Sequence, residues 1–251
     1  MQIVLLTALG VGGATMLGAV LGFAIKRIPH RFNDIILGFA AGIMLSAAVF
    51  GLITPALEGG DIFNTLIVVA GIFVGAVFLS LMDRVVPHLH SIAGVSEAHG
   101  AESDSLNKVL LFVFAIAIHN LPEGIAAGVS FGTGNTADAL TVAGGIALQN
   151  IPEGMVIIAP MLAAGVSRPR TLLIAFATGL VEVVGTFIGY FAVGVSAAAL
   201  PFALAFAGGT MIYVISDEMI PETHSHGFEK GATYSLIVGF CTMLILDVII
   251  G

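Results

Sequence analysis

Glu123, Glu153 and Glu182 stand near the middles of three long apolar stretches in a chain of 251 residues. Two of them repeat one device. His119-Asn120-Leu121-Pro122-Glu123-Gly124 and Gln149-Asn150-Ile151-Pro152-Glu153-Gly154 both read polar-Asn-apolar-Pro-Glu-Gly. On a helix, positions i, i+1 and i+4 share a face, so His119, Asn120 and Glu123 converge, as do Gln149, Asn150 and Glu153. Carboxylates, one imidazole and side-chain amides form a mixed nitrogen and oxygen ligand set. Such a set suits borderline divalent metals, zinc first, with iron, manganese, cobalt or cadmium also fitting. It does not suit copper(I), which wants thiolates and thioethers.

The elements that position these groups follow from composition. Hydrophobic residues are 58% of the chain and charged residues 10%, with a mean hydropathy of +1.08. A soluble domain carries roughly 25% charged residues. So few charges cannot cover a soluble surface, which excludes a cytosolic enzyme, a nucleic-acid binder and a disordered chain. The single Cys241 excludes a disulfide framework and a cysteine-rich zinc module. A bilayer core about 30 Å thick needs roughly 20 apolar residues per helix. The chain supplies eight such stretches, near 2–25, 35–54, 62–82, 108–130, 139–165, 171–194, 200–219 and 231–250. Pro160 is expected to end the regular part of the fifth. The fold class is all-α integral membrane, one polytopic domain over 1–251. Barrel strands of about ten alternating residues do not match these continuous runs. The first run is long enough to span and lacks a basic leader, so no signal peptide is expected.

Lys26, Arg27, Arg31, Arg84, Lys108, Arg168, Arg170 and Lys230 fall in or beside the first, third, fifth and seventh connections. Cationic connections stay in the cytoplasm. Both termini are then outside, in the inner or plasma membrane, which requires an even number of spans. The long cytoplasmic connection, 83–107, carries His88, His90, Glu97, His99, Glu102 and Asp104. Its histidines read as a weak metal collector or as a solvated loop, and His224 and His226 read the same way. The net charge of −8 says little about partners, because several acids lie inside the membrane.

Apart from Lys108 at the very start of the fourth, no Lys or Arg lies inside any of the eight stretches, so the three glutamates are protonated, face water, or bind a cation. Each proline removes one backbone hydrogen bond and frees a carbonyl near Ile118 or Leu148, and each following glycine admits a neighbouring helix. Paired Pro/Gly-interrupted helices at mid-depth point to a transporter binding site. A rival reading is a proton-coupled transporter of another solute, whose acids carry only protons; it gives His119 and the two asparagines no task. A third is a metal sensor that binds without transport. Met44 reads as core filler on its own. Gly18/Gly22, Gly71/Gly75, Gly124/Gly128 and Gly185/Gly189 read as helix packing. Asp217 and Glu218 stand where they could guard an exit, Asp247 and Glu58 an entrance. The chain has no His-Glu-x-x-His string, phosphate loop or dinucleotide fingerprint, so neither an enzyme nor a nucleotide-binding pump is expected.

The motifs resemble the signature of the ZIP (Zrt-/Irt-like) family of divalent metal transporters. His119 to Gly124 on the fourth of eight spans is similar to its first half, and Gln149 to Gly154 on the fifth to its second. Ser216-Asp217-Glu218-Met219-Ile220-Pro221-Glu222-Thr223-His224 resembles the prokaryotic branch. The resemblance implies a two-metal centre with ions bound as substrate, not as cofactor. One metal would take His119, Glu123, Gln149, Glu153 and Met44. The other would take Asn120, Glu123, Asn150, Glu153 and Glu182, with Glu123 and Glu153 bridging. It also implies a homodimer, metal flow into the cytoplasm and elevator-like sliding of one helix bundle against another. Two positions depart from the pattern. Many members have His where this chain has Gln149, and relatives often have His where it has Asp217.

Overall fold

A chain that spans lipid must satisfy its backbone internally, and every regular element among the described residues is a helix. The computed structural model describes residues 1–24, 29–58, 60–92, 114, 117–163 and 165–250, with residues 83–92, 195 and 197 as backbone. We number the helices α1 (Gln2–Ala24), α2 (His30–Leu57), α3 (Ile62–Ile92), α4 (117–129), α5 (Thr136–Ala163), α6 (Arg168–Val195), α7 (Leu200–Thr223) and α8 (Glu229–Ile250). Seven of them, all but α4, contain a stretch long and apolar enough to cross a membrane. The fourth expected span, 108–130, lies partly outside the described residues, and its described part is helical. Glu97, His99, Glu102 and Asp104 also lie outside, as do the side chains of His88 and His90.

Three details differ from what the sequence predicts. Pro160 does not end α5, which runs through both Pro152 and Pro160 to Ala163. The ring disturbs only the turn before it, and Ile157, Ile158 and Met161, all buried, hold that last turn in place. Second, α2 starts at His30, after Pro29 in an extended conformation, and so takes in Asp34. Third, α2 and α7 each widen into a π-helical turn, Ala47–Ile53 and Ile215–Met219. Pro55 and Pro221 follow these turns. A proline inside a helix pushes on the carbonyl one turn back, and a widened turn relieves that push. Such turns cluster at functional sites, and the one in α7 carries Asp217 and Glu218.

The helices pack as two groups. In one, α1 lies against α5 and α6, and α4 lies against α6 through Gly124, Gly128, Gly185 and Gly189. In the other, α2 lies against α8 and α3 against α7. Helix α5 also lies along α2 and joins the groups. All four small-residue pairs sit at these crossings. Gly18 and Gly22 meet α5, Gly71 and Gly75 meet α7, and the α4 and α6 pairs meet each other. Dispersion and close backbone approach, not a hydrophobic force, drive such packing in lipid. The turn from α7 into α8 closes at Gly227, whose φ of +85° is open to glycine at little cost.

Candidate metal centre

The duplicated motifs meet as the helical spacing requires. Nε2 of Gln149 on α5 donates to Oε1 of Glu123 on α4 at 2.7 Å. The two asparagines converge on a third helix. Nδ2 of Asn120 donates to Oε1 of Glu182 at 2.6 Å, and Nδ2 of Asn150 donates to Oε2 at 2.5 Å. Thr15 on α1 adds its hydroxyl to Oε1 at 2.6 Å. The same amides reach the backbone, Asn120 to the Thr178 carbonyl and Asn150 to the Val11 carbonyl, each at 3.3 Å. Three helices, α1, α4 and α5, therefore fix one carboxylate on α6 by donors aimed at both its oxygens, the geometry of charge-assisted hydrogen bonds.

The cluster is buried: Asn120, Glu123, Gln149, Asn150 and Glu182 are each 2% exposed or less. Inside it, Oδ1 of Asn120, Oδ1 of Asn150, Oε1 of Gln149 and Oε2 of Glu123 have no hydrogen-bond donor among the described residues. A buried oxygen left without a donor costs about 1–3 kcal/mol. Four in one cluster, all carbonyl or carboxylate oxygens, are acceptors that a cation would satisfy. No three His, Cys, Asp or Glu side chains among the described residues stand together closely enough to hold an ion as they are. The ligand candidates are instead engaged with one another.

A cavity of about 720 Å³ leads away from the cluster. His119, Glu123 and Glu153 line it, together with Asp217, Glu218 and Glu222, and His30 and His226 are also on its wall. Across its wall, Nε2 of His119 lies 2.7 Å from Oε1 of Glu218. The cavity runs toward the start of α2 and the ends of α5 and α7, since it takes in His30, Pro160 and Ser225. Those ends carry the cationic connections, with Arg31, Arg168, Arg170 and Lys230 nearby in sequence.

Met44 is buried in the main apolar core, which also takes in Ala126 of α4 and Ile146 of α5. Other expected residues stand elsewhere. Asp247 and Glu58 are exposed at the opposite ends of α8 and α2 from the cavity. His224 is tied into the fold, with Nδ1 2.8 Å from the Ile220 carbonyl and Nε2 3.2 Å from the Thr233 hydroxyl. Three residues that the motifs did not single out take part. Thr15 and Thr178 contribute from α1 and α6, and buried Asp34 sits 3.0 Å from Nδ1 of His226. A polar residue inside an apolar run was the available signal for Thr15.

Comparison with known proteins places the chain among transporters. The family model described as ZIP Zinc transporter matches residues 88–247. The zinc transporter GufA of Myxococcus xanthus is 41% identical over 98% of this chain and 98% of its own length. The zinc transporter ZIPB of Bordetella bronchiseptica is 40% identical over 95% of this chain and 78% of its own. The zinc transporter ZupT of Chlorobaculum parvum is 32% identical over 93% of this chain and 92% of its own.

Proposed function

The chain belongs to the ZIP zinc transporter family and moves divalent metal ions across a membrane, and from that premise we propose the path the ions take. Zinc is the first substrate, with cadmium, iron and manganese as further ions. An ion enters from the outer face, drawn by the carboxylates of Asp247 and Glu58. It sheds water at the mid-depth cluster, where up to two ions bind. His119, Glu123, Gln149 and Glu153 serve one ion; Asn120, Glu123, Asn150, Glu153 and Glu182 serve the other. Met44 of α2 serves the first ion as well. The ion then passes Asp217 and Glu218 into the cytoplasm.

The observation that carries this reading is the set of four buried oxygens without donors on Asn120, Glu123, Gln149 and Asn150. Asn and Gln carbonyls together with carboxylates are hard and borderline ligands. Rotating the amides about their side-chain bonds would turn these oxygens toward an ion and release Glu123 and Glu182 to neutralise it.

The same reading takes the chain as eight spans with both termini outside, assembled as a homodimer in the inner or plasma membrane. The site lies on α4, α5 and α6 with Thr15 of α1, all in one packing group, while Asp217 and Glu218 belong to the other. Sliding of the first group against the second would carry the site from one face to the other, the elevator motion.

Zinc flux into proteoliposomes tests the path. Glu123→Ala and Glu153→Ala should each abolish most uptake, because each removes a ligand of both ions. Undiminished flux in both variants rejects the site.

A further inference from the structure

We propose that the mouth of the cavity holds a further site for a divalent metal ion, with His226 and His30 as its imidazole ligands and Asp34 as the carboxylate that orients His226. Asp34 lies on α2 and is fully buried. Its Oδ1 is 3.0 Å from Nδ1 of His226, in the turn between α7 and α8. An ionised carboxylate only accepts hydrogen bonds. With Nδ1 of His226 donating to that carboxylate, the neutral imidazole keeps its lone pair on Nε2. Imidazoles that bind metals are held in this way, with the other ring N–H on a carboxylate that fixes the tautomer and raises the basicity of the ligating nitrogen.

The surroundings fit a ligand better than a structural pin. His226 lines the cavity, as do His30 and Glu222. The rings of His30 and His226 stack with centroids 4.5 Å apart and planes 25° apart, so a small turn of His30 brings two imidazole nitrogens to one ion. Oδ2 of Asp34 has no donor among the described residues, so its hydrogen bonding is directed at His226. The Ser225 hydroxyl stands 3.1 Å from Nδ1 and 3.4 Å from Nε2, so its contact with Nε2 is the weaker of the two and leaves that nitrogen open to an ion. His224, two residues earlier, shows the contrast: both of its nitrogens are engaged by the fold. Two imidazoles with water and the Glu222 carboxylate make an incomplete shell, which suits a borderline dication in passage rather than a resident one. The site's use in transport rests on the path proposed above; its existence does not.

Zinc alone is the probe, titrated into the purified full-length protein and read as bound ions and affinity by equilibrium dialysis. His226→Asn keeps an N–H donor for Asp34 but has no imidazole lone pair, so the fold is retained and the ligand is lost. It should remove one bound ion while the mid-depth ions stay. Asp34→Asn should keep that ion and weaken it about 10- to 100-fold. In a Glu123→Gln/Glu153→Gln background, which cripples the mid-depth cluster, the mouth ion should persist and disappear on adding His226→Asn. Unchanged stoichiometry and affinity in both His226→Asn and His30→Ala overturns the proposal and leaves the mid-depth site standing. If Glu123→Gln/Glu153→Gln loses no ion, the mid-depth reading fails, and the His226→Asn difference decides the mouth site by itself.

Discussion

Nε2 of His119 lies 2.7 Å from Oε1 of Glu218, so an imidazole of α4 pairs with a carboxylate in the π-helical turn of α7, both on the cavity wall. The pair bridges the two packing groups. On the proposed path, an ion on the same imidazole nitrogen would displace Glu218, and an ion leaving would return His119 to it. Glu218→Gln removes the competing charge. It should tighten zinc binding by about fivefold, the equivalent of ~1 kcal/mol for a partly exposed pair. Release into the cavity slows by the same logic. Zinc affinity and single-turnover efflux, measured side by side, check both halves; equal affinity in the two proteins refutes the competition.

Thr15 is the only contribution of α1 among the side-chain donors to Glu182, through a 2.6 Å bond to Oε1. Thr15→Val keeps the shape and removes the donor. A hydrogen bond to a charged group is worth about 1.5–3 kcal/mol. The variant should lose stability on that scale and transport less zinc, while Thr7→Val, at a hydroxyl with no partner among the described residues, should do neither. Thermal unfolding in detergent and proteoliposome uptake give the two readings.

Gly124 sits directly after Glu123, and a Cβ there would meet the Glu182 carbonyl on α6. The contact between α4 and α6 also sets the reach of Asn120 to Glu182. Gly124→Ala should cost about 1–3 kcal/mol as overpacking and impair uptake by spreading the site. Gly144→Ala, where an added Cβ meets nothing within 4 Å, should be neutral or slightly stabilising. Comparable losses in the two variants would remove the role assigned to close packing.

Much of the centre is legible in the amino-acid sequence. Helical spacing alone puts Asn120 beside Glu123 and Asn150 beside Gln149, and the antiparallel run of α4 and α5 lets Gln149 reach Glu123. What spacing does not reveal is which acid gathers the amides. Glu182 has no motif around it, yet it receives both asparagines and a threonine. Thr178 keeps its hydroxyl on its own helix, at the Ala175 carbonyl, and lends Asn120 only its backbone carbonyl; Thr15 looks like any hydroxyl in an apolar run, which usually bonds its own helix. Only the crossing of α1, α4, α5 and α6 decides otherwise. Asp34 falls one residue before the apolar stretch expected at 35, because hydropathy marks where oil begins and not where a helix does. The π turns are announced only by Pro55 and Pro221, residues that kink, break or widen a helix depending on what packs around them.

Gln149 holds the selectivity question. Its Nε2 donates to Glu123, and its Oε1, buried, has no donor among the described residues. An amide oxygen is a harder, weaker ligand for zinc than an imidazole nitrogen and discriminates less against manganese. Gln149→His puts a nitrogen lone pair beside Glu123 and keeps an N–H for it through the other ring nitrogen. Zinc and cadmium should bind tighter by about tenfold or more, the worth of one better ligand at roughly 1.4 kcal/mol, and manganese should gain less. Tighter binding helps flux only until release limits it, so uptake at saturating zinc should fall while half-saturation moves to lower concentration. Competition between zinc and manganese in both proteins checks the ranking. An unchanged zinc-to-manganese preference would show that Gln149 contacts no transported ion and serves only to hold Glu123.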